Sequence, residues 1–349
     1  MNGTTKHQVV KCLAVMLFGV LASSLALAAP GGGKGKGGGG GGDDGGGAAA
    51  NPALVFWDGR DSIDVADANG GNQMTLLGGI YGACTYPKWS PDGEHITYSS
   101  NRRLFVMNKD GSGNRDITPE GLEWSGSCAI DWSQGRVLGG SDLIAFVGVP
   151  AELQVDFPEV TDYHDVYLLN PHTGEVHNLT NSYGVSESGV SWSHDGQSLA
   201  ITRIDYSDTS YQQLIILRLD LVDGVPQVVA ELDITPPGII FAPWNNISWA
   251  SQSDAILYAN GGDIFMATFG SSGLLPVASV TGGPGQFNLG HEHFPTWAPQ
   301  DDAIAFVVVG DRQRDSGVYR MDLATGTTER IRNSGPRWPD WNPAWSEAP

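Results

Sequence analysis

The chain has 349 residues, with 39 Asp and Glu against 19 Lys and Arg, and a formal net charge of −20 at pH 7. A surface this acidic repels nucleic acid and anionic lipid, and it favours solubility, cations or basic partners. The length fits one large repeat domain or two ordinary domains, and the repeats below favour the first.

The N-terminus has the order of a secretory signal peptide. Lys6 and Lys11 precede an apolar run, and Ala26-Leu27-Ala28 provides a small-residue cleavage site. We therefore expect residues 1–28 to be removed, leaving a periplasmic or secreted protein with no membrane insertion. A retained membrane anchor is the alternative, because the apolar run is nearly long enough to span a bilayer.

Residues 29–52 are almost entirely glycine, with a few charged residues and an alanine run. Such a segment cannot bury a core and predicts a flexible linker. Its Gly-Lys pairs lack the spacing of a phosphate-binding loop.

Strand patterns begin near Ala53. Residues 53–57, 62–66 and 73–77 have the β-branched or alternating pattern of strands. They fit the second, third and fourth strands of a sheet whose first strand is missing.

The stretch from Tyr86 to Thr118 encodes one complete four-stranded antiparallel sheet. A strand ends at Trp89, a Ser-Pro-Asp-Gly turn follows, and an Asp-Gly hairpin joins the last two strands. Related tryptophan turns recur at spacings of 43, 60, 57, 48 and 44 residues, which is typical of β-propeller blades with loop insertions. We predict a structural role for these motif tryptophans, which are Trp89, Trp132, Trp192, Trp249, Trp297 and Trp341.

The last motif, from Pro339 to Pro343, has too few residues after it to build a sheet. We predict that it supplies the first strand missing from the sheet that begins at Ala53. This closure leaves no exposed sheet edge and joins both ends of the chain. Five complete units and this composite one predict an all-β, six-bladed β-propeller of four-stranded antiparallel blades over residues 53–349.

The two faces of such a propeller differ in their connections. The turns after the tryptophans and the Asp-Gly hairpins lie on one face, here called the turn face. The connections between blades, and between second and third strands, lie on the other, here called the loop-rich face. The long insertions are on the loop-rich face, where we expect function to lie; they span 148–164, 204–213, 232–246, 282–294 and 310–316.

Two cysteines remain after cleavage of the signal. Cys84 and Cys128 precede the first strands of adjacent blades, five residues before Trp89 and four before Trp132. Equivalent positions on neighbouring inner strands can meet, and an exported protein meets an oxidising compartment. We predict a disulfide between them, with two unpaired buried thiols as the alternative.

The repeat resembles that of exported TolB-type propellers, which are WD40-like. The resemblance is carried by Trp89-Ser-Pro-Asp-Gly, Met107-Asn-Lys-Asp-Gly-Ser-Gly and Ile117-Thr118, and it covers about residues 53–345. It implies a six-bladed propeller and, by analogy with TolB of the periplasmic Tol-Pal system, an envelope protein or peptide as partner. TolB has a small α/β domain before its propeller, whereas this chain has only the glycine linker there.

A histidine pair precedes one of the tryptophan motifs. In an extended strand His291 and His293 point the same way, and with Glu292, or with a carboxylate such as Glu187, they would bind a divalent metal such as Mn or Ca. The pair also resembles the manganese-binding element of oligogalacturonate lyases, which implies a metal-dependent enzyme or a binder of acidic oligosaccharide. That family's further His and Gln have no match at the expected places. Hydrogen-bonded loop histidines are the alternative.

Further side chains precede first strands near the same channel mouth. Aromatic rings there would stack on sugars or anchor a partner's peptide. Packing between blades is the alternative. The predicted binding residues are Trp124, Glu187, Trp244, Arg337 and Trp338.

Sequence motifs of common hydrolases and of helical zinc enzymes do not appear in the chain. We therefore predict a monomeric protein-binding scaffold of the cell envelope rather than an enzyme. The metal-dependent enzyme or carbohydrate binder is the second hypothesis, and an extracytoplasmic scaffold without a small ligand is the third.

Overall fold

A computed structural model describes the protein over 53–80, 85–124, 129–133, 142–150, 164–182, 184–205, 212–236, 247–270, 273–274, 278–281, 290–310, 316–333 and 341–346. The predicted signal peptide and the whole linker lie outside these ranges, as do Cys84, Cys128, Trp244, Arg337 and Trp338. Of Trp124, His291 and Trp341 only the backbone is described.

The described residues form six antiparallel sheets, one for each blade. Blade 1 contains β1 (Leu54–Trp57), β2 (Ser62–Ala66) and β3 (Met74–Gly78), and blade 2 contains β4 (Lys88–Trp89), β5 (His95–Ser100), β6 (Arg103–Asn108) and β7 (Arg115–Asp116). Blade 3 contains β8 (Leu122–Trp124), β9 (Ile130–Trp132), β10 (Ile144–Pro150), β11 (Asp165–Leu169) and β12 (Val176–Asn178).

Blades 4 to 6 follow in chain order. Blade 4 contains β13 (Val185–Trp192), β14 (Ser198–Asp205), β15 (Gln212–Val222) and β16 (Val225–Asp233). Blade 5 contains β17 (Ser248–Trp249), β18 (Ala255–Asn260), β19 (Asp263–Gly270), β20 (Gly273–Leu274) and β21 (Ala278–Ser279). Blade 6 contains β22 (Gly290–Trp297), β23 (Ala303–Gly310), β24 (Gly317–Asp322) and β25 (Thr328–Asn333).

The final strand, β26 (Trp341–Trp345), returns to blade 1 and pairs with β1. The predicted all-β, six-bladed propeller, closed by a blade shared between the two ends of the chain, is therefore confirmed. Within the described residues no helix is long and apolar enough to cross a membrane.

The register of β26 corrects one sequence assignment. Trp345, not Trp341, pairs with Leu54, and the amide of Ser346 then donates to the carbonyl of Ala53 at 2.8 Å. The same bond follows Trp297, where the amide of Ala298 donates to Ala303 at 2.9 Å. Trp345 therefore holds the motif position of blade 1. Trp341 lies four residues earlier in the same strand, and its Trp-Asn-Pro sequence imitates the start of a tryptophan turn.

The middle strands of the blades are buried on both faces because neighbouring blades pack against each side. From Ala303 to Val308 every side chain of β23 is fully buried. This explains why second strands contain continuous apolar runs in addition to alternation. The largest apolar cluster among the described residues extends from blade 4 through blade 5 to blade 6, and it includes Ile216, Ile256, Ile304 and Phe306.

In blades 2 and 4 the turn after the motif tryptophan is held by one serine and one aspartate. Ser90 donates its hydroxyl proton to Asp92 at 2.6 Å, and the Ser90 oxygen accepts the amide of His95 at 2.9 Å. Blade 4 repeats both bonds, from Ser193 to Asp195 at 2.7 Å and from the amide of Ser198 to Ser193 at 2.9 Å. The Trp-Ser-x-Asp-Gly motif thus encodes its own hydrogen-bonded turn.

The inner strands are also bonded from blade to blade. The Trp192 amide donates to Asp131 at 2.8 Å, and the Trp249 amide donates to Ser191 at 3.0 Å. In both cases the acceptor stands directly before the motif tryptophan of the preceding blade. These bonds fix the spacing of the first strands around the axis, and the motif tryptophans described with side chains are all buried.

Candidate functional site

Four blades end in a threonine that caps the third strand of its own blade. The hydroxyl oxygen accepts a backbone amide at 2.8 to 3.0 Å, which brings the end of a blade beside the start of its third strand on the loop-rich face. The pairs are Thr118 with Leu104, Thr180 with Val166, Thr235 with Leu214, and Thr281 with Ile264. We call the line where this region meets the next blade a seam.

Two glutamates enter seams at equivalent positions. Glu187 lies five residues before Trp192, and Glu292 lies five residues before Trp297. The Glu187 amide donates to the carbonyl of residue 164 at 2.9 Å, and the Glu292 amide donates to that of residue 262 at 2.8 Å. Both bonds join the first strand of one blade to the residue just before the third strand of the preceding blade. The exposed fractions are 0% for Glu187 and 1% for Glu292.

Glu187 is fully partnered in the seam between blades 3 and 4. Arg203 donates Nε–H to its Oε1 at 3.0 Å, the Ser182 hydroxyl donates at 3.1 Å to Oε2, and the Thr180 hydroxyl donates at 3.3 Å. Burial raises the pKa of Glu187, and Arg203 opposes that shift. Asp165 stands beside it and accepts the amide of Ser182 at 2.8 Å. We call these five residues the Glu187 cluster.

Glu292 has equivalent neighbours in the seam between blades 5 and 6, but no cation among the described residues pairs with it. The Thr281 hydroxyl lies 3.5 Å from its Oε2, whereas its Oε1 has no hydrogen-bond partner in the described part of the chain. Burial, with the nearby Asp263 carboxyl adding to it, raises the pKa of Glu292 to about 7. We call Glu292, Asp263 and Thr281 the Glu292 site.

The strand register explains the difference between the two seams. Glu187 stands opposite Arg203 on β14, whereas Glu292 stands opposite Val308 on β23. Val308 is fully buried and offers no charge. The same backbone frame therefore holds a neutralised carboxylate in one seam and an unneutralised carboxyl in the other.

The predicted metal ligands that are described with side chains, Glu187, Glu292 and His293, are not gathered into one group. In the extended strand β22, Glu292 and His293 face opposite sides, and Glu187 lies in a different seam. The His293 ring lies 6.0 Å from the ring of Phe294. Over the part of the chain that the structure describes, no three His, Cys, Asp or Glu side chains are placed to hold a metal ion. The side chain of His291 lies outside that part, and the metal site stays a prediction.

The central channel is narrow at the level of the motif tryptophans. The enclosed cavity is about 40 Å³ and is lined by residues of all six first strands, including Lys88, Asp131 and Ser191. One water needs roughly 10–15 Å³ of such space. A few waters fit here, but a sugar ring does not. Burial raises the pKa of Asp131, opposed by Lys88 at 3.9 Å.

A larger groove of about 270 Å³ lies between blades 4 and 5. It is lined by Ile216, Arg218, Trp249 and Phe269, and Asp195 and Asp254 place it beside the tryptophan turns. It therefore opens towards the turn face. Sequence reasoning did not find it, because its walls come from strands that are far apart in the chain.

The predicted binding residues have mixed outcomes. Glu187 is buried and engaged by Arg203, so it does not present a free carboxylate to a partner. The backbone of Trp124 lies in β8, opposite Gly148 of β10. Trp244, Arg337 and Trp338 lie outside the described residues. A signal that could have found the seams is a Glu placed five residues before a motif tryptophan.

Together, the six sheets, the shared blade and the tryptophan turns define a six-bladed β-propeller. No known protein family matches the sequence, and no well-characterised protein matches it significantly at the sequence level.

Solved structures of similar fold are also β-propellers. TolB from Acinetobacter baumannii aligns with a TM-score of 0.58 at 15% identity, over 84% of this chain and 66% of that one, which is slightly less than two thirds of its length. TolB from Agrobacterium tumefaciens, described as putative, aligns at 0.52 and 17% identity over 85% and 92% of the two chains. A chain of a nidogen/laminin complex aligns at 0.58 and 10% identity over 85% and 99%. These identities establish the fold alone.

Proposed function

We propose that this propeller is an exported scaffold of the cell envelope that binds another protein through its loop-rich face. The observation that carries the proposal is the narrow channel. At the level of the motif tryptophans, a cavity of about 40 Å³ leaves no room for a sugar ring or a peptide. This supports recognition through an outer surface, and long connections on a rigid frame are where propellers and other folds commonly place it.

Two further observations support a protein partner. The net charge of −20 favours basic partners and disfavours nucleic acid. One structural neighbour comes from a complex of nidogen with laminin, so a propeller of similar fold has been solved with a protein partner. Export follows from the signal-like N-terminus, and it is part of the proposal.

Photo-crosslinking from the two faces tests this function. A photo-reactive residue replaces Arg102, in the β5–β6 turn on the loop-rich face, or Ala324, in the β24–β25 turn on the turn face; neither position is buried. In envelope extracts we expect one discrete crosslinked protein from position 102 and none from position 324. A product from position 324 alone, or no product from either position, would contradict the proposal.

A further inference from the structure

The two seams of this propeller give an internal comparison. In the Glu187 cluster the chain itself supplies a guanidinium, because Arg203 reaches Glu187 at 3.0 Å. In the Glu292 site the equivalent strand position is Val308. Within the described residues, the carboxyl at this second position lacks the cation that neutralises its counterpart.

Glu292 is in an environment that is costly for an uncompensated acid. Its exposed fraction is 1%, and Oε1 has no hydrogen-bond partner among the residues that the structure describes. A buried carboxylate is stable only when it is paired or hydrogen-bonded. An unpaired one is either protonated or is stabilised when a cationic ligand binds to it. The Asp263 carboxyl adds a second acid to the same place, and the two carboxyls can share a hydrogen bond only when one of them is protonated.

The edge of the Glu292 site is formed by Asp263, on the loop-rich face. Asp263 is half-buried and follows the two-residue turn Gly261-Gly262 between β18 and β19. Both glycines have positive φ, at 64° and 96°, as a tight hairpin turn requires. In blade 3 the corresponding connection, from β10 to β11, runs from residue 151 to residue 164. The connection between the second and third strands is therefore much shorter in blade 5 than in blade 3.

We propose that the Glu292 site binds the guanidinium of an arginine side chain supplied by a protein partner. The planar guanidinium donates several N–H groups in a fixed fork and matches a carboxylate better than a spherical cation does. Arg203 shows within the same chain that a guanidinium completes this frame. The identity of the partner rests on the function proposed above, whereas the chemistry of the site does not.

The test uses N-acetyl-L-argininamide as the probe and N-acetyl-L-citrullinamide, which is nearly isosteric but uncharged, as its control. Binding to the full chain is measured by NMR titration at pH 8 and fixed ionic strength. We expect the arginine probe to bind the wild-type protein at least about tenfold more tightly than the citrulline probe, since charge-assisted hydrogen bonds are roughly twice as strong as neutral ones. Equal binding of the two probes overturns the proposal.

Three variants locate the binding. Glu292→Gln preserves the size of the side chain and should lower the affinity for the arginine probe at least about tenfold. Val308→Arg should abolish binding of the probe, because it supplies an internal guanidinium as Arg203 does. Glu329→Gln changes the net charge equally but lies on the exposed outer strand, and it should leave the affinity unchanged. If Val308→Arg does not fold, Glu292→Gln alone decides. Unchanged affinity in Glu292→Gln would contradict the site.

Two further results separate this site from other outcomes. Displacement of the arginine probe by MnCl₂ or CaCl₂ at equal concentration would assign the site to a metal and overturn the proposal. Arginine binding without any crosslinked protein supports the site and counts against the proposed function. Crosslinking from position 102 that persists in a protein unable to bind the probe supports the proposed function and counts against the arginine site.

Discussion

The buried pair of Glu187 and Arg203 shows that the residue at one strand position decides whether a buried carboxylate has a cation beside it. Arg203 lies between the fully buried Glu187 and the more exposed Glu231, which it contacts at 3.3 Å. Removing one partner of a buried pair leaves an uncompensated charge, whereas removing one partner of an exposed pair costs little.

Arg203→Met should therefore lower the free energy of unfolding by about 3–5 kcal/mol at pH 8. Without its cation, the pKa of Glu187 rises further, and the folded state then binds more protons than the unfolded state. The loss should for that reason be smaller at pH 5 than at pH 8. Arg103→Met, which breaks the exposed pair with Asp116, is the control and should cost less than about 1 kcal/mol. Denaturant unfolding measures both, and equal losses would contradict the account.

The turn aspartates make a second prediction at this scale. Burial alone would raise the pKa of Asp92, but bonds from the Ser90 hydroxyl and the Glu94 amide outweigh it and lower the pKa. A lowered pKa stabilises the fold above the unfolded value near 4, and that contribution disappears as the pH falls through the folded value.

Asp92→Asn should accordingly destabilise the protein at pH 6 by no more than about 1 kcal/mol, because the side chain is exposed and screened. The difference from wild type should shrink as the pH falls from about 5 towards 3. Thermal unfolding across this range measures it. A difference that grows towards low pH would show that the carboxylate is not the stabilising form.

Residue-level prediction succeeded where the chemistry is local. The tryptophan turn could be inferred from Ser90 and Asp92 because the bonds span five residues or fewer. The pairing of Glu187 with Arg203 could not, because it depends on the register between β13 and β14. That register shifts at a bulge between Glu187 and Gly189.

Among the elements, the hairpin that ends blade 2 also positions blade 1. Gly111 in the β6–β7 turn has φ of +81°, and a Cβ there would lie 2.6 Å from the carbonyl oxygen of Leu76 on β3. The turn of blade 2 thus approaches the backbone of blade 1 as closely as only glycine allows.

Gly111→Ala should lower the unfolding free energy by about 2–4 kcal/mol, combining the left-handed backbone cost with an overlap that the rigid carbonyl cannot relieve. Gly174 is the matched control, because its φ is +77° and a Cβ added there would have no described neighbour within 4 Å. Gly174→Ala should cost only about 1 kcal/mol. Equal costs for the two variants in denaturant unfolding would show that the approach to Leu76 is unimportant.

Strands and blades could largely be predicted from the sequence, since period-two patterns and Asp-Gly turns are local signals. The exact register of β26 could not. Both Trp341 and Trp345 fit an inner strand, and only pairing with Leu54 selects Trp345 for the motif position. The loop-rich face was inferred from topology, but the Glu292 site depends on contacts between residues of different blades.

On the scale of the whole molecule, every seam depends on closure of the ring. The Glu292 site lies between blades 5 and 6, and blade 6 is held in turn by blade 1 through packing of Phe56 and Trp345 against Ala305 and Val318. A propeller whose terminal strand dissociates would expose the edge of β1 and loosen the neighbouring blades. The proposed binding face therefore requires β26 to stay paired with β1.

Native-state hydrogen exchange of β1 and β26 tests this claim most directly. The account predicts that amides in 54–57 and 341–345 exchange at rates within about tenfold of the rates in the buried strand β18. All three strands should open only when the ring unfolds. The exposed outer strand β16 serves as the fast-exchanging reference. Exchange of 341–345 at the rate of β16 while β18 stays protected would contradict ring closure.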